Sequence, residues 1–258
     1  MLTLGLIGYG SVARGIVSAF PPDSVGWIAL LREGVSPDLP ANVRAVAQLD
    51  RLIDARPKAV VEAAGQAAVA AYVPALLEAG IPTVIASVGA LSDPVLADRI
   101  AILRRNGGAR AILPAGALGG LDYLRAIAAL PDARVRYTSR KPPAAWTAEL
   151  TALGLSAEHE ELTLFEGTPE EATRAYPKNL NAAFAVALAA GADKVTVRVV
   201  ADPKAAGNTH EIEAESAAGT ASFRFTNAPS PDNPKTSALM ALSLVAALGE
   251  LLDTEGVR

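Results

Sequence analysis

The first 113 residues alternate short apolar runs with helical stretches, and no other feature limits the possible folds as strongly. Strands are predicted at about 2–7, 26–31, 59–63, 82–86 and 110–113, with helices at about 11–20, 48–55, 66–79 and 93–106. Alternation of this kind is typical of a parallel sheet whose two faces are covered by helices. The predicted fold class is therefore α/β, with a Rossmann-type parallel sheet.

The alternation ends near residue 113, which predicts a second domain. A helix is predicted near 119–129, a strand over 134–140, a helix ending near 190, strands near 194–201, 209–216 and 220–226, and a last helix over 235–252. The last helix is apolar enough to return to the first sheet. We predict a dinucleotide-binding domain formed by residues 1–113 and 236–258, and an inserted α+β domain formed by residues 114–235 that binds the substrate.

Composition excludes several classes of function. The net charge is −4 and the pI near 5.3, whereas a nucleic-acid partner requires a basic face. No apolar run approaches the roughly 20 residues that span a bilayer, and the amino terminus lacks the pattern of a secretory signal. The absence of cysteine excludes disulfides, thiolate metal ligands and cysteine nucleophiles. We expect a cytoplasmic protein without a metal site, a membrane partner or a nucleic-acid partner.

A glycine pattern follows the first predicted strand directly. Gly8 permits a tight turn, Gly10 lets the backbone approach a pyrophosphate, and Ala13 allows the following helix to pack on the sheet. The amino terminus of that helix offers N–H groups and a partial positive charge to phosphates. The pattern predicts NAD or NADP binding through the residues of this turn, which are Gly8, Tyr9, Gly10, Ser11 and Val12.

The end of the second predicted strand bears on the choice of cofactor. An acidic residue about 20 residues beyond the glycines would bind the ribose of NAD. Here Arg32 and Glu33 stand together: Glu33 can contact the ribose, whereas Arg32 can pair with the 2′-phosphate of NADP. The alternative interpretation is an exposed ion pair at a strand end.

Small residues also follow two further strands of the predicted sheet. Ala63 and Ala64 come after the third strand, and Ser87, Val88 and Gly89 come after the fourth. Ligands of such folds bind beyond the carboxyl ends of the strands, so these turns can admit the nicotinamide half of a dinucleotide. Ordinary turn chemistry is the alternative.

His210 is the candidate for proton transfer. It stands on an alternating, strand-like segment, whereas the only other histidine, His159, lies among glutamates and is interpreted as a surface residue. A hydrogen-bonded structural histidine is the alternative. The candidate ligands for an anionic substrate are Arg140, Lys141, Lys178, Asn208 and Lys235. Asn179 and Asn181 can cap a helix or bind a carboxamide. Without a thiol nucleophile, amine-to-imine or alcohol-to-ketone chemistry remains.

Several segments together resemble the L-aspartate dehydrogenases. They are Gly8–Gly10, Val60–Ala64, Ser87–Ala90, Pro114–Asp122, Thr138–Pro143, Leu164–Gly167, Pro177–Asn181, Ala192–Lys194, Asn208–Ile212 and Asn227–Ser237. The resemblance implies a homodimer that oxidises L-aspartate to iminoaspartate with NAD or NADP. The imine then hydrolyses to oxaloacetate and ammonia or enters pyridine nucleotide biosynthesis.

The same resemblance assigns roles to individual residues. It implies that His210 is catalytic and that Ala117, with Asn179 or Asn181, contacts the cofactor. Two other readings stay open on the residues alone. One is a homoserine- or dihydrodipicolinate-type oxidoreductase with the same two-domain plan, and the other is a non-catalytic nucleotide-sensing module.

Overall fold

A computed structural model describes residues 1–35, 37–105, 109–176, 181–230 and 233–254, without the side chains of residues 234 and 235. The chain forms two compact units. The first comprises residues 1–116 and 240–258, and the second comprises residues 117–239. The domain bounds predicted from the sequence stay predictions.

The first unit is built on a sheet of parallel strands in the order β3-β2-β1-β4-β5-β6. Its elements are β1 (Leu2–Ile7), α1 (Ser11–Ser18), β2 (Val25–Leu30), β3 (Val43–Val46), α2 (Leu49–Asp54), β4 (Val60–Glu62), α3 (Gln66–Glu78), β5 (Thr83–Ile85), α4 (Pro94–Arg105) and β6 (Ala111–Ile112). The strand order reverses between β1 and β4, and this is the switch point at which doubly wound sheets bind ligands. The predicted Rossmann-type sheet is confirmed.

The second unit contains a mixed sheet in the order β11-β10-β7-β9-β8. Its elements are α5 (Leu121–Ile127), β7 (Arg134–Lys141), α6 (Thr147–Leu153), β8 (Leu162–Gly167), α7 (Pro169–Ala175), α8 (Asn181–Ala190), β9 (Val195–Ala201), β10 (Asn208–Ser216), β11 (Gly219–Asn227), β12 (Pro229–Ser230), β13 (Asn233–Ser237) and the start of α9 (Ala238–Thr254). Strands β7 and β9 run parallel, and the other neighbours are antiparallel. The α+β character of this part is confirmed.

The last helix returns to the first unit, as predicted. Leu244, Leu248 and Leu251 are fully buried in the core that Leu4 and Leu6 of β1 also form. Spacings of four and three residues place these leucines on one helix face, which accounts for the packing.

Several elements differ from the prediction, because α6, β8, α7, β12 and β13 lie where the sequence analysis predicts no such helix or strand. Two further differences have a clear cause. Strand β3 was missed because it has four residues, of which Arg44 and Ala45 are exposed, and therefore carries little apolar signal. The last helix begins at Ala238 rather than at residue 235, because Asn233–Ser237 pair with β12 as a strand.

Candidate active site

The glycine turn after β1 has the geometry that its sequence predicts. Gly8 has φ +85°, and a Cβ there would stand 2.8 Å from the Cβ of Ala64. Its N–H donates to the carbonyl oxygen of Leu30 at 3.0 Å, which joins the turn to the end of β2. Only glycine satisfies both the backbone angle and the close approach to Ala64.

Gly10 differs from Gly8 in that neither the backbone angle nor the packing requires glycine. Its φ is −91°, and a Cβ there would meet no protein atom within 4 Å, so the protein itself does not demand glycine at this position. Gly10 caps α1 without a side-chain hydrogen bond, and the first turn contains no acidic residue. The N–H groups and positive end of this helix therefore suit a phosphate that approaches the backbone closely.

A cleft of about 560 Å³ opens beside this turn. Six of the residues predicted to bind the cofactor line it: Gly8, Tyr9, Gly10, Arg32, Ala63 and Ala64. The lining residues that the sequence analysis does not predict are Ile7, Leu30, Leu31, Val35, Ala67, Ala68, Ala71 and Tyr72. The sequence carries a signal for the three alanines, because they share one side of the helix that Gly65 opens. Ser11, Val12, Ser87, Val88 and Gly89 are outside this lining.

A buried carboxylate organises the two turns that follow β4 and β5. Glu62 is fully buried, and its Oε1 accepts hydrogen bonds from the N–H groups of Ala64 and Gly65, each at 2.8 Å. Ser87 donates to the same carboxylate through its N–H at 2.9 Å and its hydroxyl at 3.1 Å. Ser87 thus fixes the turn after β5 to Glu62. The sequence analysis predicts only a cofactor contact for Ser87, not this structural role. The predicted strand over 59–63, in a sheet covered on both faces, indicates that Glu62 is buried, but not that its carboxylate accepts hydrogen bonds from both turns.

In the second unit, the strand register brings His210 against Tyr137. His210 lies opposite Ser139 on β7, and Ile212 lies opposite Tyr137. Opposed residues share a face of the sheet, and so do residues two apart on one strand. The Tyr137 hydroxyl lies 2.7 Å from Nδ1 of His210, and the two rings stack with centroids 6.0 Å apart. Both side chains are buried.

Burial and charge keep the imidazole neutral. Burial, assisted by the nearby Lys141 ammonium, lowers the pKa of His210 to about 4. Burial also raises the pKa of the Tyr137 hydroxyl, which therefore stays protonated. Lys141 has its own pKa lowered by burial, with Glu149 opposing that change, and its Nζ lies 4.7 Å from the Trp146 ring centroid. At neutral pH the ring nitrogens of His210 can accept or donate a hydrogen bond without net charge.

The position of Arg140 in the structure disfavours it as a substrate ligand. It alternates with Ser139 and Lys141 along β7, so its side chain leaves the opposite face of the sheet. Its guanidinium pairs with Asp202 at 3.0 Å, with Glu211 at 3.2 Å and also with Glu161. These carboxylates occupy the donors that a substrate would need, and we leave Arg140 out of the site proposed below.

The start of β10 and the end of β11 lie beside the segment that begins at Ala117, and β11 binds that segment by a hydrogen bond. Asn208 lies opposite Asn227, whose side-chain amide donates to the Ala117 carbonyl oxygen at 2.8 Å. A Cβ on Gly120 would stand 2.9 Å from the Phe223 ring, so this segment packs flat on the aromatic face of β11. Asn208 and Ala117 thus belong to one structured region of the second unit.

The remaining predicted residues are described only in part. Lys178 and Asn179 lie outside the described residues, and Lys235 is described only as a position in β13. Asn181 begins α8 and is half-buried.

The described ranges contain no group of three or more histidine, acidic or cysteine side chains able to hold a metal ion. Within the same ranges, no helix has both the length and the apolar character that crossing a bilayer requires.

Comparison with known proteins assigns both parts of the chain. Residues 8–114 match the model of the homoserine dehydrogenase NAD-binding domain, and residues 122–251 match that of the aspartate dehydrogenase C-terminal domain. L-Aspartate dehydrogenase 2 of Bordetella bronchiseptica is 43% identical over 95% of each chain. The chain belongs to the L-aspartate dehydrogenase family. The predicted resemblance is confirmed.

Solved structures agree with this assignment to the L-aspartate dehydrogenases. The aspartate dehydrogenase of Thermotoga maritima superposes with a TM-score of 0.75 at 27% identity, covering 99% of this chain and 97% of that one. Dihydrodipicolinate reductase of Paenisporosarcina superposes with a TM-score of 0.52 at 13% identity, covering 98% and 94%. The second likeness concerns the fold alone.

Proposed function

We propose that this protein is an NAD(P)-dependent L-aspartate dehydrogenase that oxidises L-aspartate to iminoaspartate. The proposal rests on one observation: a member of this family has both a cleft suited to a dinucleotide and a buried histidine suited to proton transfer. A cleft opens beside a glycine turn that suits a phosphate in the first unit, and a buried, neutral His210 lies in the second. A nucleotide sensor would need the first feature but not the second.

The first unit would hold the dinucleotide through backbone and small side chains. Gly10 and the first turn of α1 would receive the pyrophosphate, and Ala63 and Ala64 would leave room beyond β4. Arg32, exposed at the rim of the cleft, would pair with a 2′-phosphate. When bound, the oxidised nicotinamide supplies the hydride acceptor.

The second unit would bind the amino acid and move its proton. Lys141 carries the charge that suits a substrate carboxylate, and Asn208 offers an amide on the same sheet. His210, neutral at working pH, would accept a proton from the amine or from the attacking water through its Nε2 atom. Lys178, Lys235 and one asparagine of the 179–181 pair stay candidates for further contacts.

A substrate panel tests the activity. NAD(P)H formation would be followed with L-aspartate, D-aspartate, L-glutamate, L-alanine and L-homoserine. We expect selective turnover of L-aspartate, and faster oxidation at alkaline pH because the amine must lose its proton. Turnover of L-homoserine instead would replace the proposal with the homoserine-type alternative, and cofactor binding without turnover would favour a sensor.

Four finer proposals follow: the dimer and the pathway rest on the family resemblance, the use of NADP on Arg32, and the location on composition. We propose that the enzyme is a homodimer, that it is cytoplasmic, that it accepts NADP as well as NAD, and that its imine product feeds pyridine nucleotide biosynthesis. Sedimentation at several protein concentrations tests the dimer, and the ratio of kcat/KM with NADP to that with NAD tests the cofactor range.

A further inference from the structure

Trp146 is fully buried in the second unit, and its indole faces the ammonium of Lys141. It ends a single 3₁₀ turn over Pro143–Trp146, and Nζ of Lys141 lies over its ring, 4.7 Å from the centroid. Two further contacts fix the indole. Its N–H donates to the carbonyl oxygen of Val200 at 3.2 Å, and Tyr176 packs against it in a T-shaped contact with ring centroids 5.7 Å apart. A cation of this chain thus rests on an aromatic face that is held in place.

Lys141 lies on the same face of the sheet as His210. It is two residues from Ser139, which is opposite His210 on the neighbouring strand. The two groups are also close enough to interact, because burial and next the charge of Lys141 lower the pKa of His210. The ammonium is therefore placed where it can meet a carboxylate of a substrate that lies beside His210.

The proposed reaction requires two amines in opposite states. The substrate amine must be neutral before the Cα hydrogen leaves as hydride, whereas Lys141 must stay charged to bind a carboxylate. Amines of both kinds lose their protons in the alkaline range. Burial sharpens the conflict, because it lowers the pKa of Lys141. A neighbour that favours the ammonium would therefore widen the pH range in which the site can work.

The surroundings of Lys141 contain such neighbours. Among the described residues, the titratable groups around it are Glu149 of α6, His210 of β10 and Tyr176 after α7. The Glu149 carboxylate opposes the effect of burial on the pKa of Lys141, and His210 and Tyr176 are uncharged at neutral pH. Trp146 acts in the same direction as Glu149, because the negative face of an indole attracts an ammonium and not a neutral amine.

We propose that Trp146 is a positioning residue that holds Lys141 as a cation, in place to bind a substrate carboxylate, while the substrate amine is neutral. This inference deepens the proposed function and rests on it for the identity of the substrate. The charge state of Lys141 can be measured without any turnover.

Fluorination of the indole tests the proposal without changing the packing. Fluorine atoms on the benzene ring remove negative charge from its face but keep its shape. Carbon-13 NMR of the full-length protein, with labelled lysine ε-carbons, follows Lys141 through a pH titration, and Lys141→Met identifies its signal. With multiply fluorinated tryptophan we expect the pKa of Lys141 to fall by about 0.5–1 pH unit, the size expected for a partly desolvated cation–π contact. An unchanged titration would overturn the proposal.

The chain has two tryptophans, so the other one provides the control. Trp27 is fully buried in the first unit. In Trp146→Phe, where only Trp27 carries fluorine, fluorination should leave the Lys141 titration unchanged. If Trp146→Phe fails to fold, Trp27→Phe serves instead, and there the full effect of fluorination should persist. An effect that follows Trp27 contradicts the proposal.

The pH dependence of KM for L-aspartate gives the functional measurement. KM should rise at high pH as Lys141 loses its charge, and in the fluorinated protein the rise should begin at lower pH. We expect little change in kcat, because the contact supports binding. A shifted titration of Lys141 with an unchanged KM profile shows that Lys141 does not bind the substrate, and the proposal is then wrong. If the protein fails to oxidise aspartate yet Lys141 titrates as expected, the proposed function alone is lost.

Discussion

The two candidate sites, one in each unit, are built by opposite means. The cofactor cleft of the first unit is made largely of backbone and small side chains, with glycines and alanines along its lining. The region around His210 depends on large or polar side chains buried on a mixed sheet. The first type of site is specified by local backbone conformation, whereas the second is specified by the pairing of distant strands. Substitutions should therefore act differently in the two units.

Replacement of His210 should give the largest effect on catalysis. In His210→Ala we expect kcat to fall by about 10²–10⁴, the usual contribution of a positioned acid or base. Dinucleotide affinity, which belongs to the first unit, should be unchanged. Steady-state kinetics with a separate NAD titration measure both, and the exposed His159→Ala variant is the control. Near-wild-type turnover in His210→Ala would remove this residue from the mechanism.

The lowered pKa of His210 makes the stability of the second unit depend on pH. The unfolded histidine binds a proton near its ordinary pKa of 6.5, but the folded one does so only near 4. Because the unfolded state binds the proton first, the free energy of unfolding falls as pH drops through this window, by at most about 3 kcal/mol. Urea unfolding of wild type and His210→Gln at pH 8 and pH 5 checks this. Between pH 8 and pH 5, the free energy of unfolding of the wild type should fall relative to that of His210→Gln. A difference between the two proteins that is the same at both pH values contradicts the prediction.

Glu62 is the exception within the first unit, because a buried side chain rather than the backbone supports that part of the cleft. In Glu62→Gln an amide N–H₂ group replaces one acceptor oxygen and meets the N–H donors of the turns. We expect a loss of about 2–3 kcal/mol in the free energy of unfolding and weaker dinucleotide binding. Denaturant titration measures the first quantity. Glu33→Gln, at an exposed position, should change stability by less than about 0.5 kcal/mol.

The sequence predicts most of the candidate site in the first unit and less of the one in the second, because the two depend on local and on long-range structure respectively. Gly8, Gly10 and the alanines after β4 act through local conformation, which a run of neighbouring residues reveals. Tyr137 is 73 residues from His210, and only the register of β7 and β10 joins them. The ion pairs of Arg140 with Glu211 and Asp202 likewise join residues far apart in the sequence. The hydrogen bonds between Glu62 and Ser87 depend on the pairing of β4 with β5, which the residues around position 62 do not reveal.

The two glycines of the turn should separate folding from binding. In Gly8→Ala the positive φ and the 2.8 Å contact with Ala64 should lower stability by about 1–2 kcal/mol or more. Gly34→Ala, with φ +78° in open space, isolates the effect of the angle. In Gly10→Ala we expect unchanged stability but about tenfold weaker NAD binding, because the added methyl group obstructs only the ligand. Equal affinity in Gly10→Ala and wild type would show that no phosphate approaches this position.

Arg32 should give the smallest and most selective effect, because it is an exposed charge at the rim of a site formed mainly by backbone. In Arg32→Ala we expect the Kd for NADP to rise about tenfold as one charge-assisted contact to the 2′-phosphate is lost, with little change for NAD. The control is Arg44→Ala, an exposed arginine on β3 outside the cleft. Paired titrations with the two dinucleotides measure the ratio. If both affinities fall together, Arg32 contacts a group that the two cofactors share, and the cleft discriminates between them elsewhere.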